Sequence, residues 1–143
     1  MTYEDHPAPA LVVIYAQDLG RVAAFYARTL SRPFIARDDG FIVVGDPTFE
    51  VAIVRTPDAL AAANPLAIPL RVREETPLKP SFLVDDLDEV VAAATATGGG
   101  TKPRSAAWSW RGQLHLDGYD PEGNPVQFRV REAQAADRSS ALL

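Results

Sequence analysis

The chain has 143 residues, 47% hydrophobic and 23% charged, with a net charge of −5, two histidines and no cysteine. That suits one compact unit, or two small modules sharing a core, in an ordinary globular protein. The lack of cysteine excludes disulfides, thiolate nucleophiles, iron–sulfur clusters and cysteine zinc sites, and His6 and His115 leave little for a histidine-rich metal centre. A pI near 4.9 argues against a nucleic-acid partner, which needs a basic face. The start Met-Thr-Tyr-Glu-Asp-His has no positive and apolar regions of a signal peptide, and the run Leu11 to Ala16 is too short to span a bilayer. A cytoplasmic protein with no membrane partner is expected.

In chain order, residues 1–9 read as a flexible lead-in with Pro7 and Pro9. Leu11 to Ala16 is a β-rich run, and Asp18 is an N-cap for a helix carrying Leu19, Val22, Phe25, Tyr26 and Leu30 at helical spacing, stopped by Pro33. Three strands follow, from Phe34, from Phe41 and from Phe49 to Val54, separated by the turn residues Asp38-Asp39-Gly40 and Gly45-Asp46-Pro47. Residues 57–77 are a proline-rich linker with a helical turn near Asp58 to Ala63. The pattern then restarts with a strand at Pro80 to Val84, and a helix follows, capped by Asp86 and Glu89 and stopped at Gly98-Gly99-Gly100. Further strands are predicted around Lys102 to Ala107, Gln113 to Leu116 and Val126 to Val130. Asp120 to Asn124 is a tight turn in which Asp120 and Asn124 bond the backbone locally. The tail 132–143 has no strong pattern and reads as mobile or as a contact arm.

The two halves repeat. A shift of 68 residues lays Asp18-Leu19 on Asp86-Leu87, Val22 on Val90 and Ala24 on Ala92. With the same β-α-β-β-β order in each half, duplication accounts for the pattern, as modules 10–56 and 78–131.

The strand–Asp-Leu–helix with Phe25-Tyr26, the restart Val84-Asp85-Asp86-Leu87 and the ending Asp-Pro-Glu-Gly-Asn-Pro-Val-Gln resemble the vicinal oxygen chelate superfamily, the group of glyoxalase I, bleomycin-resistance proteins and extradiol dioxygenases. The resemblance covers roughly residues 10–131. It implies an α+β fold in which two βαβββ modules form a curved, mixed, eight-stranded cup. Helices would lie on the convex side and the site on the concave side, often in a homodimer.

Enzymes of that superfamily usually hold a divalent metal with four side chains from the first and last strands of the modules. The corresponding positions here are Leu11, Glu50, Lys79 and Gln127. A leucine cannot donate electrons, and an ammonium repels a cation. No cofactor is therefore expected. An irregular triad of Glu50, Gln127 and His115 is the remaining arrangement for a metal.

Strand alternation gives the cup lining that the resemblance implies. Leu11, Val13 and Tyr15 face in, with Glu50, Ala52 and Val54, with Lys79, Ser81 and Leu83, with Gln113, His115 and Asp117, and with Gln127 and Arg129. Trp108 and Trp110 alternate onto one face beside Arg111, offering either a stacking surface for a planar anionic ligand or a core and dimer contact. Glu50 and Lys79 either pair with each other or bond a ligand. Glu50 and His115 are the candidates for acid–base chemistry. The charged run Arg71 to Thr76 is either a solvated loop or a gate to the cup.

Two functions follow from these residues. One is a metal-free binder of a small aromatic or amphipathic molecule. The other is a lyase, isomerase or dioxygenase with a degenerate metal site or with Glu50 and His115 as its acid and base. A dimeric accessory module with a self-filled cup is a plainer third possibility.

Overall fold

The computed structural model describes residues 7–133. Most of the expected lead-in and tail, and His6, lie outside the described residues. Strand β1 (Leu11–Ala16) leads into helix α1 (Leu19–Leu30), and β2 (Phe34–Arg37), β3 (Phe41–Asp46) and β4 (Phe49–Arg55) complete a sheet of order β1-β4-β3-β2. Helix α2 (Asp58–Ala63) stands where the helical turn was predicted in the linker. Next come β5 (Ser81–Leu83), α3 (Leu87–Ala96), β6 (Gly100–Thr101), a 3-10 turn (Arg104–Ala106), β7 (Trp108–Trp110), β8 (Gln113–Tyr119) and β9 (Pro125–Arg131). The second sheet runs β5-β9-β8-β6, with β7 also paired to β8.

In each sheet the first strand lies parallel to the last. Leu11 sits opposite Glu50, and Ser81 sits opposite Gln127. The other pairs are antiparallel. The fold is thus α+β with two open, mixed sheets. Nine strands are present among the described residues, one more than expected. The strand predicted around Lys102 to Ala107 is not formed: β6 stops at Thr101, Pro103 has no N–H to pair and leads into the 3-10 turn, and pairing resumes only at Trp108.

Capping and apolar spacing account for the helices. Asp18 accepts the Arg21 N–H at 3.2 Å, and α1 ends at Ser31 in the left-handed region (φ 52), ahead of Pro33. Asp86 accepts the Asp88 and Glu89 N–H groups at 2.9 and 3.3 Å. The apolar stripe of α1 packs on α3, and the inward faces of both sheets close over the pair. One core results, holding Ile14, Val51 and Ile53 from the first sheet and Phe82, Leu116, Val126 and Phe128 from the second. Burying each such side chain contributes about 1.5–3 kcal/mol. Gly99 is required where the chain leaves α3, since a Cβ there would run into the Tyr119 carbonyl and the Phe25 ring. On β1 the opposite face is open: Leu11, Val13 and Tyr15 are 49%, 51% and 61% exposed, against 9% for Ile14 and 0% for Ala16.

The turn between β8 and β9 joins the two halves. Asp120 accepts the N–H groups of Glu122 and Asn124 at 2.9 and 3.1 Å, the local bonding read from the sequence. It also accepts the Tyr26 hydroxyl of α1 at 2.9 Å. Glu122, only 3% exposed, reaches the start of the first helix. Its carboxylate accepts the Gln17 N–H at 2.8 Å and the Asp18 N–H at 2.7 Å. Burial, followed by the adjacent Asp120 carboxylate, pushes the Tyr26 phenol well above its ordinary range and keeps it a donor. The linker is tied to the same turn, since Arg73 N–H donates to the Gly123 carbonyl at 2.8 Å. Residues 71–77 therefore carry side chains that are exposed, except the half-buried Val72, on an anchored backbone. Gly123 (φ 84) has no space for a Cβ against the Arg71 carbonyl. Among the described residues no helix is long and apolar enough to cross a membrane.

Glu122→Ala leaves the Gln17 and Asp18 N–H groups without their acceptor and should lower unfolding free energy by about 2–4 kcal/mol in urea titration. Glu122→Gln, which keeps one accepting oxygen, should lose less. Equal stability of wild type and Glu122→Ala would contradict this role.

Candidate functional site

The outward face of the second sheet is built in rows across its strands. One row is Ser81, Gln127 and Asp117, each opposite the next. The next is Leu83, Arg129, His115 and Trp108, and the last holds Arg131, Gln113 and Trp110. A polar network covers the first two rows. Lys79 Nζ donates to Asp117 Oδ1 at 3.0 Å, and Gln127 Nε2 donates to the same oxygen at 3.2 Å. Ser81 Oγ donates to Gln127 Oε1 at 2.7 Å and accepts from Arg129 Nε at 2.9 Å. Arg129 Nη1 donates to Gln113 Oε1 at 3.0 Å.

Beside this network stands an aromatic cluster. The Trp108 ring stacks on His115 with centroids 4.4 Å apart and planes at 13°. Trp110 lies 5.8 Å from the same imidazole and 6.5 Å from Trp108. The Arg111 guanidinium sits 5.3 Å from the Trp110 centroid. The indoles remain 44% and 56% exposed, while His115 is 2% exposed with Nδ1 at 3.2 Å from the Gln113 carbonyl. The tryptophans are therefore outside the core, on a short edge strand, with the histidine beneath them.

Glu50 is not paired with Lys79, whose partner is Asp117. Its Oε1 accepts the Ala8 N–H at 3.3 Å, and it lines a cleft of about 370 Å³ between the modules together with Val12, Phe49, Ser81, Leu83 and Arg129. Tyr15 stands on the first sheet beside Leu11 and Val13. Among the described residues no hydrogen bond, ion pair or ring contact joins it to the second sheet's cluster. A larger cavity, about 590 Å³, lies at the other end of the network, where linker residues Val72 to Leu78 face Lys79, Lys102, Asp117 and Tyr119. The linker thus walls one end of the concave face, and Lys102 and Tyr119 join the lining without having been singled out as site residues. Tyr119 was identifiable, since it continues the alternation of Gln113, His115 and Asp117. Lys102 was not, because it follows a strand whose limits were misplaced.

The four positions that the superfamily resemblance assigns to a metal do not make a donor set. Leu11 has no donor atom, Lys79 is a cation bonded to Asp117, and the Gln127 oxygen already accepts from Ser81. Among the described residues no three His, Asp or Glu side chains cluster as metal ligands. Glu50 is the single anionic donor of the four, which does not fit a divalent cation.

A family model described as a glyoxalase-like domain matches residues 11–129. The chain belongs to that family. No curated protein is significantly similar to it in sequence. Solved structures share the glyoxalase-like fold. A glyoxalase/bleomycin resistance protein from Albidiferax ferrireducens is 20% identical, with a TM-score of 0.61 over 85% of this chain and 96% of that one. A glyoxalase/bleomycin resistance protein/dioxygenase family enzyme from Burkholderia phytofirmans is 18% identical, with a TM-score of 0.63 over 87% and 99%. A bleomycin resistance determinant encoded on the transposon Tn5 is 17% identical, with a TM-score of 0.56 over 88% and 99%. At these identities the likeness establishes the fold alone.

Asp46, near the cleft, contributes to the stability of this glyoxalase-like domain in a pH-dependent way. Burial disfavours its charged form. The Thr48 hydroxyl and N–H, Arg32 at 2.5 Å and the Phe49 N–H outweigh that and hold the carboxyl at about 2. A depressed folded value means that this stabilisation is present above the ordinary 3.8 and is lost as pH falls towards 2. Burial lifts Asp120 instead, so its preference for the protonated state disappears as pH rises through its folded value. Asp46→Asn should lower stability at pH 7 by about 1 kcal/mol, allowing for solvent screening, and flatten the fall between pH 4 and 2 in urea titrations. An unchanged acid limb would contradict the assignment.

Proposed function

We propose that this glyoxalase-like protein is a metal-free binder of a small aromatic or amphipathic molecule, held on the concave face of its sheets. The observation that carries the reading is the half-exposed indole pair on β7, fixed by stacking on His115 and flanked by Arg111. An indole held in place by a buried partner presents a flat apolar surface with little conformational entropy left to lose. Arg111, Arg129 and Lys79 add hydrogen-bond donors around it, and Gln127, Glu50 and Tyr15 complete the candidate lining. Most of these polar groups already have protein partners, which preorganises the face. The unsuitable donor set described above supports binding without a metal.

The exposed apolar residues Leu11 and Val13 support a homodimer in which a second copy packs on the β1 edge of the first sheet. Acid–base catalysis by Glu50 and His115 finds less support, since the imidazole is buried beneath Trp108 with Nδ1 towards a backbone carbonyl.

A thermal-shift and fluorescence screen of planar ligands tests the proposal. Hits should weaken about tenfold or more in Trp108→Ala and Trp110→Ala. Elemental analysis should find no stoichiometric transition metal. Stoichiometric Zn, Ni, Fe or Mn that is lost on Glu50→Ala would refute the metal-free reading, and hits indifferent to both tryptophans would refute the aromatic wall.

A further inference from the structure

The cleft between the modules holds two opposite charges that do not satisfy each other. Its lining includes Val12, Phe49 and Glu50 from the first module and Ser81, Leu83 and Arg129 from the second. Arg32 also reaches it, but Asp46 neutralises that guanidinium at 2.5 Å. Arg129 and Glu50 remain. Arg129 has only neutral acceptors: Ser81 Oγ at 2.9 Å, Gln113 Oε1 at 3.0 Å and the Ser81 carbonyl at 3.4 Å. It is half-buried and makes no ion pair among the described residues. Among the described residues Glu50 likewise makes no ion pair, and its carboxylate accepts one backbone N–H, that of Ala8.

Among the described residues the half-buried Arg129 guanidinium has no carboxylate and the half-buried Glu50 carboxylate across the same cleft has no cation, which leaves both charges electrostatically incomplete. A direct Arg–Glu bond would resolve this, and it is not formed. A molecule carrying an anion and a cation a few ångströms apart would resolve it too. The Arg129 fork is shaped for a carboxylate, and a single carboxylate such as Glu50 suits an ammonium. Val12, Phe49, Phe82 and Leu83 give the wall an apolar part, beside the hydroxyls of Thr48 and Ser81. At about 370 Å³ the cleft can hold a free amino acid with a large side chain.

We propose that the seam cleft recognises the zwitterionic head of an α-amino acid, or of a small molecule that retains one. The ligand carboxylate sits on Arg129, its ammonium on Glu50, and its apolar part against the cleft wall, towards the row that runs through His115 to Trp108. This rests on the binder reading above and names the chemical class of what is bound.

The test is calorimetric titration of the full chain with three probes: L-phenylalanine, phenethylamine, which lacks the carboxylate, and 3-phenylpropionate, which lacks the ammonium. L-phenylalanine should bind about tenfold or more tighter than either of the others, since each loses one charge-assisted contact. Glu50→Gln should bring L-phenylalanine to the level of 3-phenylpropionate, and Arg129→Met should bring it to the level of phenethylamine. Should Arg129→Met fail to fold, Arg129→Lys keeps the charge without the fork and should still weaken both carboxylate probes. Equal binding of the three probes overturns the proposal, as does 3-phenylpropionate binding as tightly as L-phenylalanine, or no binding of any. If the probes fail while uncharged planar ligands still bind in a Trp108-dependent manner, the head-group assignment falls and the binder reading stands. If those fail as well, both fall.

Discussion

The Glu122 carboxylate joins the two halves of the molecule at the point where the first helix begins. The backbone N–H groups of Gln17 and Asp18 leave β1 without strand partners, and an unpaired polar group in a buried position is costly. A carboxylate from the second module accepts both. Two residues earlier, Asp120 holds the turn through Asn124 and takes the Tyr26 hydroxyl from the same helix. The linker backbone bonds to that turn as well. One tight turn therefore sets where α1 lies, where the linker runs and how the modules meet.

The seam depends on that arrangement. Because α1 packs on α3 and both sheets close over the helices, their other faces are left uncovered by helices. In the second sheet, every polar side chain of the first rows is bonded to a neighbour, from Lys79 through Asp117, Gln127 and Ser81 to Arg129. Such a network holds Arg129 in one orientation without neutralising it. The first sheet contributes Glu50 and an apolar strip. The contrast between a wired polar wall and an open apolar one gives the face an electrostatic direction.

Most of the fold was legible in the residues. The alternation from Leu11 to Ala16, the caps Asp18 and Asp86, and the proline and glycine stops are local signals, and local physics decided those elements. The strand read around Lys102 to Ala107 was misplaced because a proline in a β-rich run leaves open where pairing resumes. The site was legible only in part. Period-two alternation placed Gln113, His115, Asp117, Gln127 and Arg129 on one face. Which partner each charge takes depends on lateral register, so Lys79 pairs with Asp117 and not with Glu50. Glu122 escaped notice because nothing local distinguishes a turn carboxylate in solvent from one aimed at a distant helix start.

Glu50 and Arg129 link the fold to its proposed ligand: opposite charges, one from each module, brought to a single cleft but left apart. A crystal structure of the protein grown with L-phenylalanine tests that account most directly. It predicts density in the seam cleft with the ligand carboxylate on the Arg129 guanidinium, the ammonium on Glu50 and no metal between them. An Arg129–Glu50 ion pair closing an empty cleft, or a metal ion coordinated by Glu50, would contradict it.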